Sequence, residues 1–489
     1  MRSKKVAFAA LVAVIGLMGL VWGSGQISAD SKIKKEVTFS KDIAPIFYKN
    51  CAECHRPNDI APMSLITYKE SRPWARSIKE KVLTREMPPW SADPHYGEFS
   101  NDARLSQQDI DTIVAWVDQG AKEGNPKDMP SPPSFAKGDW QIGKPDVVLE
   151  MAEEWTVEPD APDNYINFFI PTNFTEDKWV QAAEIIPGNR KVVHHVIAFI
   201  QTPEMMKKRE EMAKKEGGPT GARGGSSSIM YLDGTLRRVR MDAPVADDGC
   251  AEDPNNSGRA NRRRGADGGE NEGALLAGYA PGKGVDVWPA GTAKRVPKGS
   301  TIMFQMHYSS FKGDLEKPER DRTKVGLILA KEPPDKMIVT GAVSNALFKI
   351  PAGADNHKVT ACMTAPRDLE VITYMPHMHV RGKDMKYEVI YPDGKRETLL
   401  WVPKFNFNWQ TMYYLKKPIT IPKGSKLIVT AHFDNSARNK YNPDPKKDVR
   451  WGDPTYDEMM IGWMDLVFDN PMKMLKPAPS SAAKGEGQK

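Results

Sequence analysis

Hydrophobic positions recur with two different spacings along the chain. Between about residues 40 and 120 they return every three or four positions, as in Ile43, Ile46 and Phe47, which is the spacing of an α-helix that buries one face. This spacing predicts three helices, of which one ends near Asn50, one starts at Ser71 and one runs from Ser106 to Gly120. The N-terminal part of the chain is therefore expected to be α-helical.

Beyond residue 145 the apolar positions form short runs that turn signals such as Pro-Asp-Gly separate, and helical spacing is scarce. Such runs predict β-strands. One sandwich rarely needs more than about 200 to 250 residues, so the remaining stretch favours two of them. The strands are expected at 165–171, 191–200, 301–308, 325–330, 370–375, 386–390 and 426–433.

The two patterns together predict a multidomain chain, in which a small all-α domain precedes two all-β, jelly-roll-like sandwiches. Proline-rich and glycine-rich stretches suggest where one part ends and the next begins. The expected parts are the helical domain at 37–122, a linker at 123–145, a first sandwich at 146–330 with a long insertion at 216–273, a second sandwich at 331–472 and a disordered tail at 473–489.

The first 29 residues have the pattern of an export signal. Positive residues at 1–5 precede an unbroken apolar stretch at 6–23, and small and polar residues follow as far as Ala29. We expect an exported, periplasmic protein. The apolar stretch is longer than is usual for a signal, so an uncleaved N-terminal membrane anchor is the alternative.

Composition narrows the function classes. The chain has 489 residues, of which 40% are hydrophobic and 27% charged, so it can bury several cores. Its net charge is only +6, and Arg2, Lys4 and Lys5 contribute three of those positive charges. We therefore expect no nucleic-acid partner.

Two of the four cysteines belong to the motif Cys51-Ala-Glu-Cys54-His55. C-x-x-C-H is typical of c-type haem attachment, in which two thiols bind the haem covalently and the histidine ligates the iron. A redox-active cysteine pair or half of a zinc site would need surroundings that this sequence lacks. We expect one covalent haem c, and residues 37–122 resemble a class I cytochrome c domain.

The second axial ligand of the haem is expected to be a methionine after the middle helix. Met87 is favoured because two prolines follow it and stiffen the loop. Met63 is the rival candidate, and a site with an open position is the third alternative.

Histidines are few and clustered. Of nine in the chain, His377 and His379 are two apart, so in a strand they point to the same face and can share a metal ion. His194 and His195 are adjacent and would point to opposite faces, so they can share an ion only at a strand end or a β-bulge. Otherwise one of them belongs to the core and the other to the surface.

Four segments give the sequence a resemblance to the type II, ascorbate-dependent copper monooxygenases, the family of peptidylglycine α-hydroxylating monooxygenase and dopamine β-hydroxylase. They are Lys-Val-Val-His194-His195, Phe-Gln-Met-His307-Tyr, Pro-His377-Met-His379-Val and Asp-Glu-Met459, in the family's order, within residues 144–472. The resemblance implies two coppers. One would be held by His194, His195 and His307, and the other by His377, His379 and Met459.

The resemblance implies an enzyme that inserts one oxygen atom of O2 into a C–H bond. A thioether favours Cu(I), so the site with Met459 is expected to react with O2 and the all-histidine site to pass an electron. The haem domain is foreign to the best-known members and suggests an electron relay within the chain. The alternative is a non-enzymatic haem c electron carrier whose sandwiches bind copper or dock partners.

Several points stay open in the sequence. The partners implied are a small-molecule or peptide substrate, O2, and an electron donor that is either ascorbate-like or a redox protein. Peptides, catechols and hydrocarbons are not distinguished as substrates. Cys250 and Cys362 either pair with each other or stay reduced.

Overall fold

The computed structural model describes most of the chain. Outside the described residues lie the predicted export signal, most of the predicted insertion and the predicted tail. No helix within the described part combines the length and the apolar character that crossing a membrane requires. The described residues are 33, 35–57, 61–133, 140–159, 164–216, 228–230, 236–238, 245–250, 275–280, 283–308, 315–452 and 454–471.

The chain forms two compact units, and the first is helical. It contains the described residues up to Glu53 together with Met63–Thr84 and Leu105–Ser131. Its helices are a π-helical turn (Phe39–Ile43), α1 (Ala44–Asn50), α2 (Tyr68–Ser71), a 3-10 turn (Arg72–Trp74), α3 (Ala75–Leu83), α4 (Gln107–Asp118) and a second 3-10 turn (Pro126–Asp128).

Aromatic rings form the centre of this unit. Phe39, Phe47 and Trp116 are fully buried, and their rings meet at centroid distances of 5.9 to 6.3 Å. Ser106 caps α4 as the sequence predicts, because its hydroxyl accepts a hydrogen bond from the backbone N–H of Asp109.

Among the described residues, the second unit contains all the strands and one helix, α5 (Pro203–Glu216). The strands are β1 (Val147–Glu150), β2 (Trp155–Val157), β3 (Asn164–Pro171), β4 (Lys178–Ile186), β5 (Val193–Gln201), β6 (Ser228–Met230), β7 (Leu236–Arg238), β8 (Asp248–Gly249), β9 (Leu275–Tyr279), β10 (Asp286–Val287), β11 (Thr292–Val296), β12 (Thr301–Tyr308), β13 (Glu319–Asp321), β14 (Lys324–Leu329), β15 (Lys336–Ser344), β16 (Lys349–Ile350), β17 (His357–Thr364), β18 (Leu369–His377), β19 (Gly382–Ile390), β20 (Arg396–Val402), β21 (Tyr413–Ile421), β22 (Lys426–Phe433), β23 (Val449–Arg450) and β24 (Ile461–Asp469).

These strands build two β-sandwiches, so the predicted fold class is confirmed. In the first, the sheet β3-β12-β5-β9 packs on β1-β14-β4-β11 around a core that includes Val180, Val196, Phe304 and Leu327. In the second, β15-β24-β18-β21 packs on β20-β19-β22-β17-β8 around a core that includes residues of both sheets. The short pairs β2-β13, β6-β7 and β16-β23 lie outside these layers.

One sheet runs through both sandwiches. β11 of the first sandwich pairs in parallel with β15 of the second, where Thr292 lies opposite Lys336 and Ala293 opposite Met337. Behind this pairing, the Lys294 ammonium is buried and donates to the hydroxyl of Thr340 at 2.8 Å, 3.5 Å from the carboxylate of Asp465. The two sandwiches therefore share backbone hydrogen bonds and a buried ion pair.

The chain between β7 and β9 also reaches the second sandwich. β8 pairs in parallel with β17, and Cys250 forms a disulfide with Cys362 of that strand. This result answers the question that the sequence left open for these two cysteines.

Residues 85–104 lie within the range predicted for the cytochrome c domain but belong to the second unit. We call Arg85–Arg104 the strap. Its apolar side chains join the core of the second sandwich, where the ring of Trp90 meets that of Tyr413 at 5.0 Å. Ser100 donates to the carbonyl of Tyr414, and Lys416 donates to that of Glu98. The strap thus covers the outer edge of β21.

Candidate metal centres

Three histidines from two strands meet in the first sandwich. His195 on β5 lies directly opposite His307 on β12, but the next pair is Tyr308 with Val193, so His194 is the extra residue of a β-bulge. The bulge turns His194 to the same side as His195. From the sequence, two adjacent histidines were expected to share a metal ion only at a strand end or a β-bulge, and the structure has such a bulge.

The geometry of this group fits a metal ion. The Nδ1 atoms of His194 and His307 each lie 3.2 Å from Nδ1 of His195, and one ring nitrogen of each histidine lies within 4.8 Å of the others. Two nitrogens that bind one metal at about 2.0 Å with a tetrahedral angle are about 3.3 Å apart. All three side chains are buried. The three residues that the family resemblance implied for one copper site are therefore brought together.

The surroundings keep His195 neutral and pack its two neighbours against aromatic rings. Burial lowers the pKa of His195 well below its ordinary value, and the neighbouring His307 and His194 lower it further. The ring of Tyr165 stacks on His307 at 4.4 Å, and the ring of Phe407 stacks on His194 at 5.0 Å. Neutral imidazole is the form that binds metal.

The second pair, His377 and His379, lies at the end of β18 in the second sandwich. Nδ1 of His377 lies 3.0 Å from Oε1 of Gln410, whose amide nitrogen donates to the carbonyl of Phe407. Nδ1 of His379 lies 3.2 Å from the carbonyl oxygen of Asp457. Because both oxygens accept, both Nδ1 atoms carry the hydrogen, and each Nε2 keeps a lone pair for a metal.

Burial also keeps this pair neutral. It lowers the pKa of His377 to about 4, although the hydrogen bond with Gln410 opposes the shift. The pKa of His379 is well below its ordinary value, mainly through burial and then through His377. The two rings are nearly perpendicular, with centroids 5.4 Å apart.

A buried carboxylate holds the backbone around His379. The two carboxylate oxygens of Glu458 accept hydrogen bonds from the backbone N–H of His379 at 2.8 Å and of Arg381 at 2.7 Å. The Arg381 side chain is itself buried, 4.0 Å from Glu458, and donates to Asn435 and to the carbonyl of Tyr456. Burial raises the pKa of Glu458 to about 8 against these favourable contacts.

Met459 directly follows Glu458, and the hydrogen bond between Glu458 and the backbone of His379 keeps the two segments close together. Its side chain is half-buried against the core of the second sandwich, whereas Met460 is completely buried. That Met459 completes a site with His377 and His379 stays a prediction.

The two histidine sites share one cavity. This cavity opens to solvent, and both His195 and His377 line it. Phe407 lies beside it between the two sites, with its ring 5.0 Å from His194 and 5.9 Å from His379.

The haem motif follows α1 directly. The backbone N–H of Cys51 donates to the carbonyl of Phe47 and ends the helix, and the Cys51 side chain packs on the helical core. Met63 packs on that core as well, whereas Met87 is a half-buried residue of the strap. The assignment of Cys51, Cys54, His55 and Met87 to a haem stays a prediction.

The sequence did not predict the residues that support the histidines. Gln410, Phe407 and Tyr165 lie far from the histidines along the chain, and only the fold brings them into contact. Glu458 is the exception, because it stands directly before Met459 in a segment that the resemblance had singled out. The structure shows it fully buried, which is unusual for a carboxylate.

Comparisons with known proteins give two kinds of result. Two solved structures are similar at low identity. A xanthan lyase of Paenibacillus has 10% identity over 71% of this chain and 28% of its own, with a TM-score of 0.16. The structure of infectious bursal disease virus Gx strain has 8% identity over 72% of this chain and 89% of its own, with a TM-score of 0.16. No curated protein matches the chain.

Family models match two separate parts. Residues 336–464 match the copper type II ascorbate-dependent monooxygenase C-terminal domain, and they include β15, both histidines of the second pair and Met459. Residues 40–121 match cytochrome c, with the C-x-x-C-H motif inside the match. The two matches lie in the order that the sequence resemblance implies, with a segment similar to cytochrome c before a segment similar to the copper type II ascorbate-dependent monooxygenase C-terminal domain.

Proposed function

We propose that the protein is a dicopper monooxygenase that hydroxylates a C–H bond of an organic substrate and receives its electrons through a covalently bound haem c. The reaction consumes the substrate, O2, two electrons and two protons, and it yields the alcohol and water. An ascorbate-like donor or a redox protein would supply the electrons.

One observation carries this proposal: two histidine groups of different design open on the same cavity. A carrier of single electrons needs no second metal site beside a solvent-open cavity, whereas a hydroxylase must hold substrate beside a metal. The match of residues 336–464 supports the same reading.

The chain's residues have distinct roles in this proposal. His194, His195 and His307 would hold one copper through Nδ1, and His377 and His379 would hold the other through Nε2 with the thioether of Met459. Bound copper would supply one-electron redox chemistry and the activation of O2. Gln410 and the carbonyl of Asp457 keep the second pair in the correct tautomer.

The haem would be held by Cys51, Cys54 and His55, with Met87 as the favoured second axial ligand. The C-terminal end of α1 places Cys51 at the surface of the helical core, which is suited to one edge of a haem. We further propose that the protein is exported to the periplasm. The disulfide between Cys250 and Cys362 supports an oxidising compartment.

The test begins with metal content. Protein matured with its haem should contain two coppers and one iron per chain. One iron without copper, after incubation with Cu(I), would contradict the proposal and favour a haem c electron carrier.

Substitution of the predicted thioether ligand tests the reaction itself. Met459→Leu should reduce substrate-dependent O2 consumption to background while the haem is still reduced normally, because the thioether no longer binds Cu(I). Met460→Leu is the matched control, since this neighbour is buried and the swap nearly conserves volume. Unchanged turnover in Met459→Leu would show that the ligand assignment is wrong.

A further inference from the structure

The cavity between the two histidine sites has a lining that identifies the kind of molecule it accepts. β5 and β9 line it from the first sandwich, and the end of β18 together with the chain before β21 lines it from the second. It is open to solvent, so a molecule can enter it from outside.

Most of this lining is apolar. Two thioether side chains, Met375 and Met412, face it from the second sandwich near His377, and the first sandwich adds aliphatic side chains and one aromatic ring. Flexible thioethers adapt to the shape of an apolar ligand. The apolar residues are Val196, Ile197, Leu275, Tyr279, Ala280, Met375 and Met412.

Apart from the histidines, Lys283 is the only ionisable side chain with a formal charge among the described lining residues, and its charge is already neutralised. Its ammonium lies 2.8 Å from the carboxylate of Asp286, and each side chain is only 5% exposed. Asp286 also accepts from the backbone N–H of Gly278. An anionic substrate near Lys283 would also meet the carboxylate of Asp286, so the pair offers it no net positive charge.

The polar groups that remain are occupied as well. Gln410 accepts from His377 and donates to the carbonyl of Phe407, so both ends of its amide are used. An ammonium group in the cavity would therefore lack an anionic partner among the described lining residues, and burial of an uncompensated charge is unfavourable.

We propose that this cavity is the substrate site and that it takes an uncharged, predominantly hydrocarbon molecule, not a peptide carboxylate or an amine. That the bound molecule is a substrate rests on the proposed monooxygenase function. The selectivity itself is a property of the lining and holds without metal.

The experiment measures binding of three probes of nearly equal size to the full-length, copper-free, haem-containing protein. Toluene is uncharged, benzoate is an anion and benzylamine is a cation at neutral pH. Ligand-detected NMR titration should give a dissociation constant for toluene that is lower than either of the others by about tenfold or more. Equal or tighter binding of benzoate or benzylamine would overturn the proposal.

Variants locate the binding. Met375→Glu should weaken toluene binding by about tenfold or more, because it places a carboxylate in the apolar lining. Asp286→Asn should tighten benzoate binding, because it releases the charge of Lys283. Asp448→Asn is the matched control, since it removes the partner of Lys349 in an exposed pair elsewhere. Where Asp286→Asn fails to fold, Lys283→Met with Asp286→Leu keeps the cavity neutral and should still bind toluene.

The outcomes separate this inference from the proposed function. Toluene binding that Met375→Glu abolishes supports the inference even where no copper binds. Failure of toluene to bind, or binding that Met375→Glu leaves unchanged, rejects it even where two coppers bind.

Discussion

At the first histidine site, strand register alone brings three Nδ1 atoms together, with a bulge at His194 supplying the third ring. At the second, Gln410 and the carbonyl of Asp457 bind the Nδ1 atoms of His377 and His379, so the lone pair of each Nε2 is available to a metal. The first site is therefore specified by backbone pairing. The second depends on side chains and carbonyls from two distant segments, and it should be easier to perturb without a change to its ligands.

The largest expected effect comes from Glu458. Glu458→Ala removes the acceptor for two backbone N–H groups and the carboxylate beside the buried guanidinium of Arg381, which costs about 3–5 kcal/mol in the free energy of unfolding. Urea unfolding measures the loss, and copper titration should show the second site weakened while the first is intact. Glu388→Ala is the control, since Glu388 pairs with Arg396 away from both sites. Equal loss of copper at the two sites would contradict the view that only the second site depends on supporting groups from distant segments.

A smaller effect is expected for Gln410→Ala. Loss of this hydrogen bond frees the His377 ring to rotate and to change tautomer, so copper affinity at the second site should fall by about 10- to 100-fold. Competition with a Cu(I) chelator measures it. Asn406→Ala, an exposed position of the same loop, should leave the affinity unchanged. Normal copper binding by Gln410→Ala would show that the second site, like the first, does not need a side-chain hydrogen bond to orient its histidines.

Per pH unit, the smallest expected effect is in the pH dependence of stability, which His195 and His377 should share because burial lowers the pKa of both. The pKa of His377 is about 4 in the folded chain and 6.5 ordinarily, so between these values the unfolded chain binds a proton that the folded chain does not. Stability of the copper-free protein is therefore lost as pH falls from about 6.5 towards 4. His377→Asn should reduce this slope by up to about 1.4 kcal/mol per pH unit in urea unfolding. A slope that His377→Asn leaves unchanged would show that His377 is not buried in its neutral form.

The sequence predicted the parts of these sites that depend on local spacing. Two histidines at i and i+2 predict a shared face, and the adjacent pair predicts a bulge, because side-chain direction alternates along a strand. Most of the predicted strands also lie close to where the structure has them, because apolar runs and turn residues are local signals.

The rest depends on contacts between distant residues. In the sequence the strap lies inside the predicted cytochrome c domain, yet the rings of Trp90 and Phe99 pack on Tyr413, more than 300 positions away. The pairing of Cys250 with Cys362 is equally nonlocal, with a separation of 112 residues. No periodicity within one segment carries such information.

The sheet that runs through both sandwiches has a practical consequence for anyone who expresses the matched domain alone. A fragment of residues 336–464 would lack β11, β8 and the strap, so the edges of β15, β17 and β21 would all be open. It would also end in the middle of β24 and leave the thiol of Cys362 exposed to oxidation between molecules. Open edges and cross-linking thiols promote aggregation, so the boundaries of the family match are the wrong places to cut this chain.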